Sequence, residues 1–309
     1  MMVQIGLMIE GQWGLTWERW RALLKAAEDY GFQCVFRSDH YTIGPPDMDS
    51  LETWVSLTLA ATETQRIEFG TLVCPTTFRH PALTARMAAA VDDLSGGRLV
   101  LGLGAGWHER EHQQFGIPFY DKATRYEMLE DALEVTTRLF RSDEPVSYAG
   151  KHYPLEEAIL LPRPQRAGGP PILIGGNGMK KTLPLAAKYA DEWNGVHIAP
   201  DGYRERNLRL DELLVEQGRQ PGDVKRSLMT ELVLGQDEAD LQRKLAAHPG
   251  QADKLLEPSQ IVGTASAVVD QIAAFAEVGV SRLMLMHRDQ TDMATLETLA
   301  RDVLPQFHK

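Results

Sequence analysis

The sequence predicts an α/β fold, a TIM-type (β/α)8 barrel with insertions after strands 4 and 7. Short β-rich runs alternate with helical patterns from end to end of the 309 residues. Such alternation implies a parallel sheet covered by helices. Eight runs occur, beginning near Val3, Cys34, Ile67, Leu99, Ile172, Trp193, Ser227 and Arg282. Eight repeats favour closure into a barrel over an open doubly wound sheet. The first four are spaced by about 30 residues, the size of one βα unit. Residues 1–309 read as one domain, without a linker or a low-complexity tail.

The helices between these runs are well signalled. Trp17, Trp20, Leu23, Leu24, Ala27 and Tyr30 recur at helical spacing, with Thr16 as N-cap and Gly31 as the stop. Ser50 is the expected cap of the next helix, whose inner face would carry Leu51, Trp54, Leu57 and Ala61. Pro81 opens the third, where a missing N–H costs nothing. Leu83, Met87 and Leu94 follow, and Gly96-Gly97 ends it. A helix over about 124–141 shows Tyr126, Leu129, Leu133, Thr136 and Phe140 at its repeat. Residues 105–124, 142–170 and 248–262 are extra material. The second segment reads as a hairpin of Val146-Ser147-Tyr148 against His152-Tyr153-Pro154. In a barrel, such insertions form lids and substrate loops.

Composition excludes several classes. A net charge of -11 argues against nucleic acid and anionic membrane as partners. Cys34 and Cys74 are the only cysteines, so reduced thiols in the cytoplasm are expected rather than a disulfide framework. No basic leader stands before the first strand, and no apolar run reaches the ~20 residues that span a bilayer.

Active sites of such barrels lie at the C-terminal ends of the strands. Those ends carry Glu10; Ser38, Asp39 and His40; Leu72, Val73 and Cys74; Gly104, Gly106 and Trp107; Gly175 to Gly178; His197; Glu231; and His287. Asp39-His40 directly follows an apolar strand, and a carboxylate beside an imidazole orients polar edges of a cofactor or moves a proton. Equally, the pair reads as a turn-capping Asp and a surface His. Gly175-Gly176-Asn177-Gly178 lies between a strand and a helix expected from about Met179. Free N–H groups and the helix dipole make that turn a cradle for phosphate, with Lys180 and Lys181 adding charge. Gly102-x-Gly104-x-Gly106 fails the Rossmann spacing, because Trp107 stands where the third glycine belongs.

His108-Glu109-x-x-His112 matches the zinc-peptidase pattern. A third ligand is needed, and Glu127 is the only tempting one. Phe115 also stands where the extended motif requires glycine. No metal is therefore expected, and the peptidase is a remote alternative.

Ser38-Asp39-His40, Gly70-Thr71-Leu72-Val73, Phe78-Arg79-His80-Pro81, Ser95-Gly96-Gly97-Arg98 and Gly102 to Trp107 occur in that order. Tyr148-x-Gly150-x-x-Tyr153, Gly175-Gly176-x-Gly178 and Ala190 to Asn194 follow. This series resembles the luciferase-like monooxygenase family over essentially the whole chain. It looks most like the branch that uses coenzyme F420, a deazaflavin with a phosphate-bearing oligoglutamate tail. The resemblance implies hydride transfer between the deazaflavin C5 and a small organic substrate. The alternative is a reduced-flavin (FMN) monooxygenase that uses oxygen. By similarity, Asp39 and His40 would contact the ring. The Leu72–Val73 peptide would form a bulge, often with a non-prolyl cis bond, behind it. Gly104, Ala105 and Gly106 would line its edge, and Gly176, Asn177 and Gly178 would hold the phosphate. Thr71, Trp107 and Gly175 complete the expected cofactor set, and His40, Asp39 and Glu10 are the expected catalytic residues. A homodimer formed through barrel helices is expected as well. Some deazaflavin dehydrogenases of the family carry an acid where Trp107 stands, so sugar-phosphate dehydrogenation is not expected.

Overall fold

The computed structural model describes residues 3–247 and 252–307. Eight parallel strands close on themselves. They are β1 (Gln4–Ile9), β2 (Cys34–Arg37), β3 (Glu68–Thr71), β4 (Leu99–Gly104), β5 (Ile172–Gly175), β6 (Glu192–Val196), β7 (Lys225–Gly235) and β8 (Arg282–Met286). Each pairs with the next, β7 pairs with β6 and β8, and β8 returns to β1 with Leu7 opposite Leu285. All eight runs expected from the sequence are strands of this barrel. Strand period explains why they were legible: Ile5, Leu7 and Ile9 point outward to the helices, while Met8 points inward.

The inward layer is Met8, Cys34, Phe36, Leu72, Val100, Leu173, Met229, Met284 and Met286, all buried. Below it, at the N-terminal end, Arg282 is fully buried and donates to Glu192 at 2.9 Å, to Glu68 and to Gln4. The lower end of the barrel is therefore plugged by charge and the upper end by sulfur and aromatic groups. Residues that act must lie above that plug.

Helices α1 (Trp17–Asp29), α2 (Thr53–Glu63) and α3 (Pro81–Leu94) follow the first three strands. Thr16 caps α1 by accepting from the Arg19 N–H. The cap of α2 is Glu52, not Ser50, whose hydroxyl donates instead to the His40 carbonyl at 2.7 Å. Leu83 and Leu94 of α3 are exposed. The helix buries its alanine row of Ala85, Ala88 and Ala89 instead, because small side chains let it lie close to the barrel.

Between β4 and β5 come α4 (Glu109–Gln114) and α5 (Lys122–Arg141), then a hairpin. The second hairpin strand is Leu155–Ala158, three residues beyond the expected start. His152 and Tyr153 are drawn out of it by other bonds: the His152 N–H donates to Asp131, and the Tyr153 hydroxyl to the Thr76 carbonyl. Next come α6 (Thr182–Tyr189) and α7 (Pro200–Glu216). After β7 stand α8 (Glu238–Ala246) and α9 (Ala252–Leu255), then α10 (Ala265–Glu277) and α11 (Met293–Thr298) around the last strand. Of the segment 248–262, residues 248–251 lie outside the described residues. The outer half of β7 runs past the barrel and pairs with a short strand, Ile261–Thr264.

Candidate active site

β3 stops at Thr71, and the reason is local. A Cβ on Gly102 would lie 2.0 Å from the Thr71 carbonyl oxygen, so only glycine permits the approach. The Thr71 hydroxyl then donates to the Gly102 carbonyl at 2.8 Å and accepts from its N–H at 2.9 Å. With those ladder bonds replaced, the chain bulges at Leu72–Val73, where the peptide is cis, and rejoins β4 at Cys74–Pro75. The Val73 side chain lies over three glycines. A Cβ on Gly102, Gly104 or Gly175 would fall 2.5–3.1 Å from its methyl groups. These glycines therefore make room for Val73 first.

Above this floor opens a cleft of about 490 Å³ at the C-terminal mouth of the barrel. Its wall carries Leu72, Val73, Gly104, Ala105, Gly106, Trp107, Gly175 and Gly176, and also Glu10 and His40. These are ten of the residues singled out from the sequence. Four others stand behind the wall. Thr71 is the bolt just described. Asp39 is buried and bound to Arg79 at 2.5 Å. The Asn177 amide pairs with both backbone groups of Val196, at 2.7 and 2.9 Å, like one more strand residue. Gly178 packs against Thr182.

His40 is positioned by Glu111, a residue hidden inside the zinc-like motif. The His40 Nδ1 lies 2.8 Å from the Glu111 carboxylate, whose other oxygen accepts from the Tyr41 N–H. Glu111 is 1% exposed. Burial pushes the imidazole down, but the hydrogen bond and charge of Glu111, with Glu10 and Asp39, push it further up, and the net shift is upward. The rest of the motif is structural. The two ring nitrogens of His112 are taken by Thr77 and the His108 carbonyl, each at 2.8 Å. Glu109 is exposed, and Glu127 is held by Lys151 and His152. Among the described residues no three metal-ligating side chains converge.

On the far wall His197 has φ +48, a left-handed backbone rare for a bulky residue. Its N–H donates to the Met229 carbonyl, and its Nδ1 meets Gln260 at 3.1 Å. Burial lowers its pKa, so it is neutral near pH 7. The buried Asn194 Oδ1 has no hydrogen-bond partner and belongs to the cleft wall. Glu231 is occupied by both arms of Arg288. His287 lines a different cleft, and burial lowers its pKa to about 4.

The family model described as luciferase-like monooxygenase matches residues 3–253. The chain belongs to the luciferase-like monooxygenase family. Its relatives include the 4-hydroxyprotoasukamycin monooxygenase of Streptomyces nodosus subsp. asukaensis, 31% identical over 57% of this chain and 46% of that one. The chain thus spans about half the length of that relative. An F420-dependent glucose-6-phosphate dehydrogenase of Microbacterium testaceum is 27% identical over 92% of this chain and 91% of its own. Among solved structures, an F420-dependent secondary alcohol dehydrogenase carrying an F420-acetone adduct superposes with a TM-score of 0.85, at 20% identity and full coverage of both chains.

In this luciferase-like chain, the turn after β5 fits a phosphate only in part. Helix α6 begins at Thr182 rather than about Met179, so the turn precedes the helix by several residues. The Gly176 N–H is already given to the Asn194 carbonyl. No side chain caps α6, but the Leu183 N–H is given to the Gly178 carbonyl and Pro184 has none, so of the first three residues only Thr182 has an N–H left for a ligand. Arg206 also leans over the turn, donating to the Asn177 carbonyl. The glycine-lined floor and the unpartnered Asn194 acceptor suit a flat ring that bears N–H groups. Gly104→Val would test the floor. Its side chain would collide with Val73 and enter the cleft, and we expect coenzyme F420 affinity to fall at least ~10-fold in a fluorescence titration while the circular dichroism spectrum is kept.

Proposed function

We propose that this chain is an F420-dependent oxidoreductase that moves a hydride between the deazaflavin and a small organic substrate. The observation that carries the proposal is the His40–Glu111 dyad on the wall of a glycine-floored cleft. The long match to an F420-dependent dehydrogenase supports this cofactor. When bound, the deazaflavin supplies a two-electron hydride at carbon. This chain supplies the rest. Val73 and its glycines back the ring, and Gly176 to Gly178 with the start of α6 and Arg206 receive the phosphate. Asn194 accepts a ring N–H, His40 holds or takes the substrate proton, and Glu111 keeps His40 oriented and charged. Asp39 acts through Arg79 and the backbone that carries His40.

The same reading places the protein in the cytoplasm as a homodimer. Cys34 and Cys74 are buried free thiols, and among the described residues no helix is long and apolar enough to cross a membrane. Val55, Leu83 and Leu94 are exposed on the adjacent helices α2 and α3, which suits a helix-to-helix contact between copies.

Titrating the apoprotein in parallel with coenzyme F420 and FMN tests the assignment. Micromolar or tighter F420 binding that weakens in Gly176→Val is expected. Binding of FMN alone would move the enzyme to the oxygen-using branch, to which the monooxygenase relative belongs.

A further inference from the structure

His197 stands on the cleft wall against the alternation of its strand. Asn194 and Val196 of β6 face the barrel interior, so an extended residue after Val196 would turn outward to the helices. Instead His197 takes φ +48 and lines the cleft. Among the described residues only Glu157, in the exposed hairpin, is another non-glycine residue in this conformation. A left-handed backbone under a bulky side chain persists only where its surroundings impose it. Two contacts do so here. The Met229 carbonyl holds the His197 N–H at 2.9 Å, and Gln260 holds the ring at 3.1 Å.

The second contact fixes the tautomer. The Gln260 amide oxygen accepts the Glu231 N–H at 3.2 Å, and a backbone N–H can only donate. The amide therefore turns its oxygen, not its nitrogen, to this side, and the His197 Nδ1 must donate to it. In the neutral ring the proton then sits on Nδ1, and Nε2 is a bare acceptor. Burial keeps the ring neutral. The charged groups around it, Glu231 in its pair with Arg288 and the nearby Lys254, do not reverse that effect. No described residue donates to Nε2, and the atom is not sealed in the interior. The two imidazoles of the cleft thus differ in kind. Glu111 favours the charged, donating form of His40, whereas the neutral Gln260 leaves His197 an acceptor.

We propose that His197 is a specificity-determining residue whose Nε2 accepts a hydrogen bond from a hydroxyl or N–H group of the substrate, at a point separate from the reacting carbon. The ligand class is an organic molecule that carries such a donor beside an apolar body, which Trp13, Met229 and Met286 of the same wall would cover. This role rests on the cleft being the substrate site, as read above, and not on the identity of the cofactor. A ligand without the donor leaves Nε2 desolvated and unpaired, and the cost of that unmade bond is the source of the discrimination.

Phenol and toluene match in size, differ in one hydroxyl and accept no hydride, so they read the site without turnover. Both are titrated by NMR, at neutral pH, into the apoprotein and the F420-loaded protein. The phenol-to-toluene affinity ratio is expected to fall at least ~5-fold in His197→Phe, the contribution of one hydrogen bond. Gln260→Glu keeps an acceptor for Nδ1 and for the Glu231 N–H but favours the doubly protonated ring, which turns Nε2 into a donor. The ratio should fall in this variant as well. Heteronuclear NMR of histidine-labelled parent protein should show Nε2 of His197 as the unprotonated nitrogen, assigned from the signals that vanish in His197→Phe or move in Gln260→Glu. A proton on Nε2 in the parent overturns the proposal, and so does absence of phenol binding or an unchanged ratio in a folded His197→Phe. If that variant does not fold, an unchanged ratio in Gln260→Glu with its ring charged overturns it instead. Failure of F420 to bind sinks the cofactor reading alone and leaves the ratios in the apoprotein decisive.

Discussion

Replacing His40 with Asn is expected to lower kcat by ~10²–10⁴, the usual contribution of a positioned acid or base, while F420 affinity stays within a few-fold. The proposed chemistry moves a proton at the substrate, and of the two imidazoles on the cleft wall only His40 is hydrogen-bonded to a buried carboxylate. Its pKa lies above the ordinary value, so its acid form reaches to higher pH than that of a free imidazole. The sign follows: substrate reduction that draws a proton from His40 is supported below that raised pKa and is lost as pH rises through it. Substrate oxidation, which needs the free base, shows the opposite limb. Glu111→Gln keeps an acceptor for the Tyr41 N–H but removes the charge. It should therefore move the inflection of both limbs to lower pH rather than abolish turnover. An unmoved inflection in this variant would show that Glu111 only packs.

The second large effect concerns stability. Arg282 is fully buried, and Glu192 beside it is 3% exposed. Arg282→Met should destabilise the chain by ~3–5 kcal/mol, because removing one partner leaves a buried carboxylate uncompensated. That corresponds to a drop of roughly 10 °C in Tm for a chain of this size. Burial already raises the Glu192 pKa, against the pull of Arg282. Without Arg282 the carboxylate must protonate to stay buried, so the penalty should be greatest above neutral pH and shrink towards pH 4–5. The double variant Arg282→Met, Glu192→Gln should recover much of the loss. If the single variant melts like the parent, the charged plug contributes nothing to the barrel.

The strands were legible because a barrel strand carries a short, dense apolar run, and all eight did. The details that escaped the sequence share one cause: a side chain chose a partner far away in the chain. Ser50 gave its hydroxyl to His40 and left the cap of α2 to Glu52. Asp39 stands next to His40 in sequence, yet it turned to Arg79, 40 residues on. The partner of His40 came from 71 residues away, inside a pattern that reads as a zinc motif. No local spacing announces such a pair. The backbone of His197 gives no sequence signal either, since its φ is set by Met229 and Gln260 in β7 and the segment after α9.

Gln260 belongs to the shelf built on the outer half of β7, whereas His197 belongs to the barrel. The Gln260 side-chain oxygen also receives the Thr230 hydroxyl and the Glu231 N–H. One amide therefore fastens the shelf to an imidazole, to the strand and to the backbone of the carboxylate that restrains Arg288. A shelf that opens while the barrel stays shut unhooks all three together. A local opening confined to this strand would thus release His197 and the backbone of Glu231 without unfolding the barrel, so a substitution there would be felt at the cleft before it was felt in stability.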